Sequence, residues 1–466
     1  LWCGAHSLNR PYRRSARKTA LRRAYPDHAY DPAPPPSYWA ATAPEAVRRR
    51  RPLDRDLSVE VAIVGGGYTG LSAALTLAER GAGAAVFDAA FPGWGASGRN
   101  GGFVCVGGAK LGYDELIRRD GEDATRAYVA RQAAAVDHVG GVLDRFAIDA
   151  DRHSTGEWEL SHSAKAFARA KEDAALERRL GLTLDEYDQR ALDEMGMAGP
   201  TFHGGHRRMP GFAVNPLKYA HGLAMAAERA GAELFTHSPA HEVKTAPGGF
   251  HLRVGGFSVR ARKLIVAANG YLADDWIPGL DDRALPVMSS IMVTRPLTGA
   301  ELQGGGWTSD QAAYDSRSSV HYFRLLPEGR FMFGARGGSS LNPILLARLR
   351  RRIRRDFERM FPAWAHVEAD YEWNGLLALS RSRTQYVGPL EPWADAWTAF
   401  AYHGNGVAMG TYAGRLLGEM ALGDLDPAEL PPAMSGPPRR FPLPRLRMAY
   451  IKAYYLGWDA AEAIRG

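Results

Sequence analysis

The stretch VEVAIVGGGYTG, Val59 to Gly70, constrains this chain more than any other. Val59–Val64 is a short β-branched apolar run and reads as a parallel strand buried on both faces. Gly65, Gly67 and Gly70 follow in G-x-G-x-x-G spacing, and Leu71–Arg80 then reads as a helix with small and apolar residues on its inner face. Gly81 and Gly83 end that helix, and Ala84–Phe87 reads as the next strand. In such a unit Gly65 permits the tight turn, Gly67 lets the backbone approach a pyrophosphate, and Gly70 lets helix and strand pack closely. The helix start, with Tyr68 and Thr69 in it, offers unpaired N–H groups and a positive dipole end to phosphates. Asp88 stands 18 residues after Gly70, where a carboxylate accepts hydrogen bonds from a ribose. The unit predicts a dinucleotide site and leaves FAD and a nicotinamide both open.

A second glycine-rich run follows at once, Gly93–Phe103 (GWGASGRNGGF). It exposes backbone N–H groups beside a bulky planar ring and its phosphates. Ser97 is expected to hydrogen-bond a phosphate and Arg99 to neutralise one. Ala96, Asn100, Gly101 and Gly102 belong to the same expected surface, with Trp94 and Phe103 at its ends.

The chain has 466 residues, enough for one large two-part unit. No run of eighteen apolar residues occurs, so no membrane span is expected. Two cysteines, Cys3 and Cys105, make neither a disulfide framework nor a metal-ligand spacing. A reducing, cytoplasmic setting and no metal are the expectations. Much of the net charge of +7 comes from arginines in the first 55 residues. They lack aromatic interleaving and any recognisable nucleic-acid fold, so no nucleic-acid partner is expected. Residues 1–26 are Arg-rich without an acid, loosely like a transit peptide or upstream sequence, and 31–36 (DPAPPP) read as an extended linker. Residues 1–36 are accordingly set aside as a disordered basic, proline-rich segment.

The rest reads as two interleaved parts. Residues 113–143, 164–180, 216–231, 341–361 and the stretch after His403 read as helical. Strands are expected near 233–235, 241–244, 250–259 and 264–268, and 286–336 reads as short strands and turns. The fold class is α/β with an α+β insert: a Rossmann-like dinucleotide-binding domain interleaved with a mainly antiparallel-sheet substrate domain. Within 37–425 the dinucleotide-binding parts are about 57–110, 205–275 and 380–422, and the substrate parts about 145–204 and 280–375. Residues 426–466 are a proline-containing C-terminal segment and helix.

The strings around both glycine runs resemble the D-amino-acid-oxidase-type FAD-dependent oxidoreductases, most nearly the bacterial γ-glutamylputrescine oxidoreductase group. Further pieces recur in the family's order: SYWAA from Ser37, NPLKYAHGL from Asn215, LIVAANGYL from Leu264, VHYFRLLPEGRFMFGARGG from Val320 and AYHGNGVAMGTYAGRLLGEM from Ala401. The resemblance implies FAD, with Ala268 and Asn269 closing one edge of its site. Gly404, Asn405, Gly406 and Val407 would aim N–H groups at the pyrimidine end of the flavin. Two departures stand out: Asp88 where Glu is usual, and SRSRTQYVG (Ser380 to Gly388) without the Asp and Pro often found there. No Cys or His occupies 97–102 and no Cys lies near 380–407, so the flavin is expected to be non-covalent.

The implied chemistry is oxidation of a small amine or amino acid to an imine, with dioxygen as the expected acceptor. An amine dehydrogenase with another acceptor and a non-catalytic FAD-binding subunit are the alternatives. Tyr322 and Arg324, two apart on one strand, share a face, and Arg324 is expected to clamp a substrate carboxylate. His403 lies in the loop nearest the expected flavin and completes the expected catalytic set. The residues point to no general base.

Overall fold

The computed structural model describes residues 22–43, 50–273, 275–317, 319–338, 340–443, 446 and 448–453. The apolar run forms the strand Leu57–Val64, which pairs in parallel with Ala84–Phe87 on one side and Phe257–Val266 on the other. Ile63 sits level with Val86 and Ile265. Val61 and Ile63 face one apolar cluster, Ala62 and Val64 another, and Ala62 and Ile63 are fully buried. Cover on both faces is why this strand shows no polar alternation. The sheet runs Tyr386–Pro389, Ala396–Phe400, Phe257–Val266, Leu57–Val64, Ala84–Phe87, Glu233–Phe235. A hairpin, Ala240–Ala246 with Gly249–Val254, joins it along Phe257–Val266.

Three helices, Tyr68–Glu79, Pro216–Arg229 and Ala408–Leu422, lie over one face. The first and last cross closely because their contact is made of small residues. A side chain at Gly414 would strike the Thr69 carbonyl, and one at Gly418 would meet Thr76.

The second sheet has eight strands, ordered Ala369–Ser380, Ala284–Pro296, Arg330–Arg336, His321–Leu325, Ala313–Asp315, Glu157–Leu160, Gly204–Met209, Thr183–Asp188. All its pairings are antiparallel except that of Ala313–Asp315 with Glu157–Leu160. An aromatic core of Trp307, Phe323, Phe331, Phe333, Phe357, Phe361 and Trp364 seats the helix Pro343–Met360 on it. Among the described residues no helix is long and apolar enough to cross a membrane.

Several expectations are corrected. The stretch 113–143 is two helices, Tyr113–Asp120 and Glu122–Arg145, divided at Gly121, whose φ of 89° only glycine adopts readily. The expected run of short strands opens instead with one continuous strand of 13 residues, Ala284–Pro296. Strands Gly204–Met209 and Ala369–Ser380 both belong wholly to the second sheet, so the crossovers fall after Met209 and Ser380.

The largest correction concerns the N-terminal segment. Residues 1–21 and 454–466 lie outside the described residues, but 22–36 are built into the fold. Tyr25 is buried against Met288 and Leu376. Arg22 pairs with Asp282 at 2.6 Å, and Trp94 Nε1 donates to the Ala33 carbonyl at 3.0 Å. Tyr30 meets Tyr271 edge-on with ring centroids 6.2 Å apart. These contacts tie the segment to both sheets as a strap. Composition misled because a few aromatic anchors suffice to hold a proline-rich segment that has no periodicity of its own.

Candidate active site

One cavity of about 590 Å³ runs from the central strand of the first sheet to the inner face of the second. At its nucleotide end Gly65 has φ 108°, and a side chain there would stand 2.8 Å from the Ala267 carbonyl oxygen. At Gly67 a Cβ would meet only Ser97 Oγ, at 3.0 Å, so that glycine borders open space. Gly70 fits only because it lacks a Cβ, which would collide with the Gly65 carbonyl. Asp88 accepts from Gly66 N at 2.7 Å and from Ala90 N at 2.8 Å, and burial pushes its carboxyl upward. Each oxygen keeps a further lone pair for a ribose hydroxyl.

The second glycine run crosses above this turn. Ser97 Oγ accepts from Tyr68 N at 3.0 Å, which locks the run to the helix start. Asn100 ties the run to itself, donating to the Ala96 and Ser97 carbonyls and accepting from Gly102 N. Arg99 lines the cavity, while its Nε donates to the Trp94 carbonyl at 2.7 Å and its guanidinium lies 4.5 Å over the Trp94 ring, which stiffens the loop. Gly102 is not at the cavity: a side chain there would meet the Val214 carbonyl and Arg324. Thr69 reaches the cavity wall, but its hydroxyl donates to the Gly410 carbonyl and accepts from the Tyr402 hydroxyl at 2.7 Å.

Further along lie Ala268, Asn269 and the loop from Ala401 to Val407. Asn269 Oδ1 accepts from Ala401 N at 3.0 Å and so joins the two turns. Ala401, His403 and Gly404 have φ of 63°, 55° and 108°, an unusual run held by its surroundings. The helix Ala408–Leu422 follows at once, and Gly406 and Val407, just before it, line the cavity. Asn405 donates to the Cys105 carbonyl at 2.7 Å, binding this loop to the second glycine run.

His403 is buried. Its Nε2 accepts from Ser380 N at 3.5 Å and lies 3.2 Å from Ser380 Oγ. Nδ1 has no hydrogen-bond partner among the described residues. Burial, with Lys110 and Arg336 nearby, holds the imidazole at about 3, so it stays neutral. The glycine-lined room and the ribose carboxylate at one end and this unpartnered imidazole nitrogen at the other fit FAD along the length of the cavity.

At the far end the expected trio separates. Tyr322 lines the cavity, hydrogen-bonded to Ser289 at 2.8 Å, its ring set against Gly101 and Gly334. Burial pushes its hydroxyl up to about 12. Arg324 does not reach the cavity. It lies on the same face of the strand, but one residue pair further along, where Trp39 and Phe103 cover it. Its Nη2 donates to the Val214 carbonyl at 2.7 Å and its Nη1 to His153 at 3.2 Å, and the side chain is 1% exposed. A shared face does not mean shared cover, and Arg324 is part of the packing.

The polar groups that do line this end went unnoticed in the sequence: Lys110, Glu157, Tyr314 and Arg336. Burial pushes Glu157 up to about 7. Burial, then the Arg336 charge, pushes Lys110 down to about 7. Arg23, on the strap, and Trp276 also line the cavity. No motif spacing links these residues, although Arg336 falls within the FGARGG string. Among the described residues no cluster suited to a metal ion is present, and the free cysteine Cys105 is buried.

Comparison with known proteins agrees with this geometry. The family model described as FAD dependent oxidoreductase (DAO) matches residues 60–420. A probable oxidoreductase, OrdL, from Rhizobium meliloti strain 1021 is 30% identical over 394 residues, 83% of this chain and 88% of its own. Gamma-glutamylputrescine oxidoreductase from Escherichia coli K12 is 28% identical over 430 residues, 89% of this chain and 96% of its own. Among solved structures, glycine oxidase from Geobacillus kaustophilus superposes with a TM-score of 0.67 at 18% identity, over 81% of this chain and 98% of that one. Iminodiacetate oxidase from Chelativorans sp. BNC1 gives 0.64 at 19% identity, over 80% of this chain and 97% of that one.

Proposed function

The chain belongs to the DAO family of FAD-dependent oxidoreductases, and from that premise we propose that it oxidises the C–N bond of a small amine or amino acid to an imine, which water hydrolyses. The observation that carries this reading is the continuity of one cavity from the Gly65–Gly70 turn to a wall of titratable side chains. FAD, when bound non-covalently there, supplies the acceptor for the hydride leaving the carbon beside nitrogen, and dioxygen takes the electron pair as hydrogen peroxide. The protein's share is orientation and proton handling.

Substrate nitrogen must be neutral before the hydride leaves, so a proton has to go to the protein or to water. His403, held at about 3, cannot keep a second proton at neutral pH and stays a neutral imidazole. Tyr322 keeps its proton and sets the shape of the wall. Lys110 and Glu157, both near 7, are the groups at this end able to take up a proton in the working range. Amines carrying a γ-glutamyl group fall within the class, as the name of the Escherichia coli relative suggests.

The test is anaerobic titration of the flavin-loaded protein with a panel of amines and amino acids. Bleaching of the flavin, then one hydrogen peroxide per imine on admitting air, is the expected result. Bleaching without peroxide would make the protein a dehydrogenase. No bleaching by any amine would overturn C–N oxidation altogether.

A further inference from the structure

The helix Pro343–Met360 is held to the second sheet by Leu349, Ile353, Phe357 and Met360, and its other side faces solvent. Ile344, Arg348, Arg351 and Arg355, spaced four, three and four residues apart, share that outward face, and all four are exposed. Leu345 adjoins them and is exposed too. Asn342 accepts from Ile344 N at 3.0 Å, which caps the helix start. The acids of this helix, Asp356 and Glu358, meet Arg352 and Arg354. Among the described residues Arg348, Arg351 and Arg355 form no ion pair.

The C-terminal segment lies alongside. Met448 packs in one apolar cluster with Leu341, Leu346 and Leu349 at the start of the helix, and Ile451 is buried with Leu285 and Val287. The same segment exposes Leu443, Leu446 and Tyr450. Among the described residues seven large apolar side chains stand exposed, and five of them, Ile344, Leu345, Leu443, Leu446 and Tyr450, belong to these two neighbouring segments. Grouping of that kind marks a surface that another body covers. The charge around it has one sign: from Leu430 to Trp458 the chain carries five Lys or Arg and no acid.

We propose that this face seats the protein on an anionic lipid bilayer, with Ile344, Leu345, Leu446 and Tyr450 entering the boundary of headgroups and acyl chains and Arg348, Arg351, Arg355 and Lys452 meeting lipid phosphates. Such docking is separate from the reaction assigned to the cavity. A second copy of this chain is a poor occupant, because a two-fold axis would set the same unanswered cations against one another. A nucleic acid would answer the cations, but branched aliphatic side chains offer no flat face on which bases stack and would stay in water. A bilayer answers both features at once. Acyl chains take up the aliphatic side chains, tyrosine suits the interface, and the negative surface potential draws the cations.

The test is flotation of the full, flavin-loaded chain with vesicles, its distribution read from the flavin absorbance. Vesicles of phosphatidylcholine and phosphatidylglycerol in equal parts should carry the protein upward, and vesicles of phosphatidylcholine alone should leave it behind. Raised ionic strength should weaken the binding. Replacing Arg348, Arg351 and Arg355 together by Gln should weaken it about fivefold for each charge, roughly a hundredfold in all. Ile344→Ser with Leu345→Ser should weaken it by at least about tenfold, since apolar area no longer enters the bilayer. Arg169→Gln with Arg190→Gln, on the helices flanking the edge strand Thr183–Asp188, should bind as wild type. Each variant should keep its flavin and its rate in solution, which shows that the fold is intact.

Failure of the full chain to float with anionic vesicles would overturn the proposal and leave the face to another occupant, the chain's own residues 454–466 included. Equal flotation with both kinds of vesicle, or flotation unchanged in both sets of substitutions, would overturn it as well. Binding of polyglutamate as tight as that of vesicles, with no loss of either in Ile344→Ser with Leu345→Ser, would assign the face to an acidic protein and overturn the bilayer. None of these results bears on oxidation of amines, which the bleaching of flavin reads separately.

Discussion

At the nucleotide end of the cavity the contacts come from backbone: the N–H groups of a helix start, the room left by Gly67, and one carboxylate, Asp88. At the substrate end they come from side chains on separate strands and loops, two of them titrating near neutrality. Backbone sites tolerate little change, because a Cβ in the wrong place fills the ligand's own volume. Side-chain sites can be retuned one residue at a time. Substitutions at the first end should therefore decide whether flavin is held, and at the second which amine is oxidised.

The sharpest challenge to that division is Gly67→Val. Its Cβ stands 3.0 Å from Ser97 Oγ and its branches extend into the cavity. Overpacking of this sort costs about 3 kcal/mol, roughly two decades in affinity. The purified variant should carry almost no flavin while its circular dichroism matches wild type; retained flavin would move the phosphate site elsewhere.

Next in size is removal of the strap. A chain beginning at Ser37 loses the Tyr25 anchor, the Ala33 bond to Trp94 and Arg23 from the cavity wall. Deleting one buried aromatic anchor costs about 3 kcal/mol. Thermal unfolding should come several degrees earlier, and FAD should dissociate faster on dilution. Unchanged flavin release would show that the strap belongs to neither end.

The contrast between the ends was itself unequally legible in the sequence. Gly65, Gly67, Gly70 and Asp88 could be placed because a strand–turn–helix unit fixes their geometry within 24 residues. Ser97 and the loop from His403 to Val407 followed from family strings, and the cavity contains them. Lys110, Glu157 and Arg336 could not be placed, since Lys110 lies in a loop held by Arg383 while Glu157 and Arg336 lie on separate strands of the second sheet, and no local spacing encodes that arrangement. Arg324 was misplaced for a related reason: strand periodicity tells which face a side chain takes, and the elements covering that face decide whether it meets a cavity. The strap was missed because its anchors, Tyr25 and Tyr30, are too few to form a pattern.

A smaller effect concerns acid. His138 and His153 are held at about 4 and His403 at about 3, each chiefly by burial, against an ordinary value of 6.5. Below 6.5 the unfolded chain binds protons that the folded chain refuses, so stability falls as pH drops from 6.5 toward 4. Thermal scans across that range should show the decline. His153→Gln should flatten part of it, since the imidazole that accepts from Arg324 no longer titrates. A melting temperature flat down to pH 4 would contradict the buried neutral imidazoles.

The smallest expected effect is a null one. Arg324→Lys should lower stability, by about 1–3 kcal/mol for the lost hydrogen bond to Val214. It should leave unchanged the ratio of rates for a carboxylated amine and its decarboxylated analogue. A changed ratio would return Arg324 to the substrate end.

The account as a whole stands on flavin in this cavity, and the visible spectrum of the purified protein, taken before and after acid precipitation, tests that most directly. The two-banded flavin absorbance should be present in the native protein and should pass entirely to the supernatant as FAD, since no cysteine occurs within residues 380–407 and neither Cys nor His occupies 97–102. Flavin left on the precipitated polypeptide would contradict the non-covalent assignment. A colourless protein that added FAD cannot restore would contradict the assignment of the cavity itself.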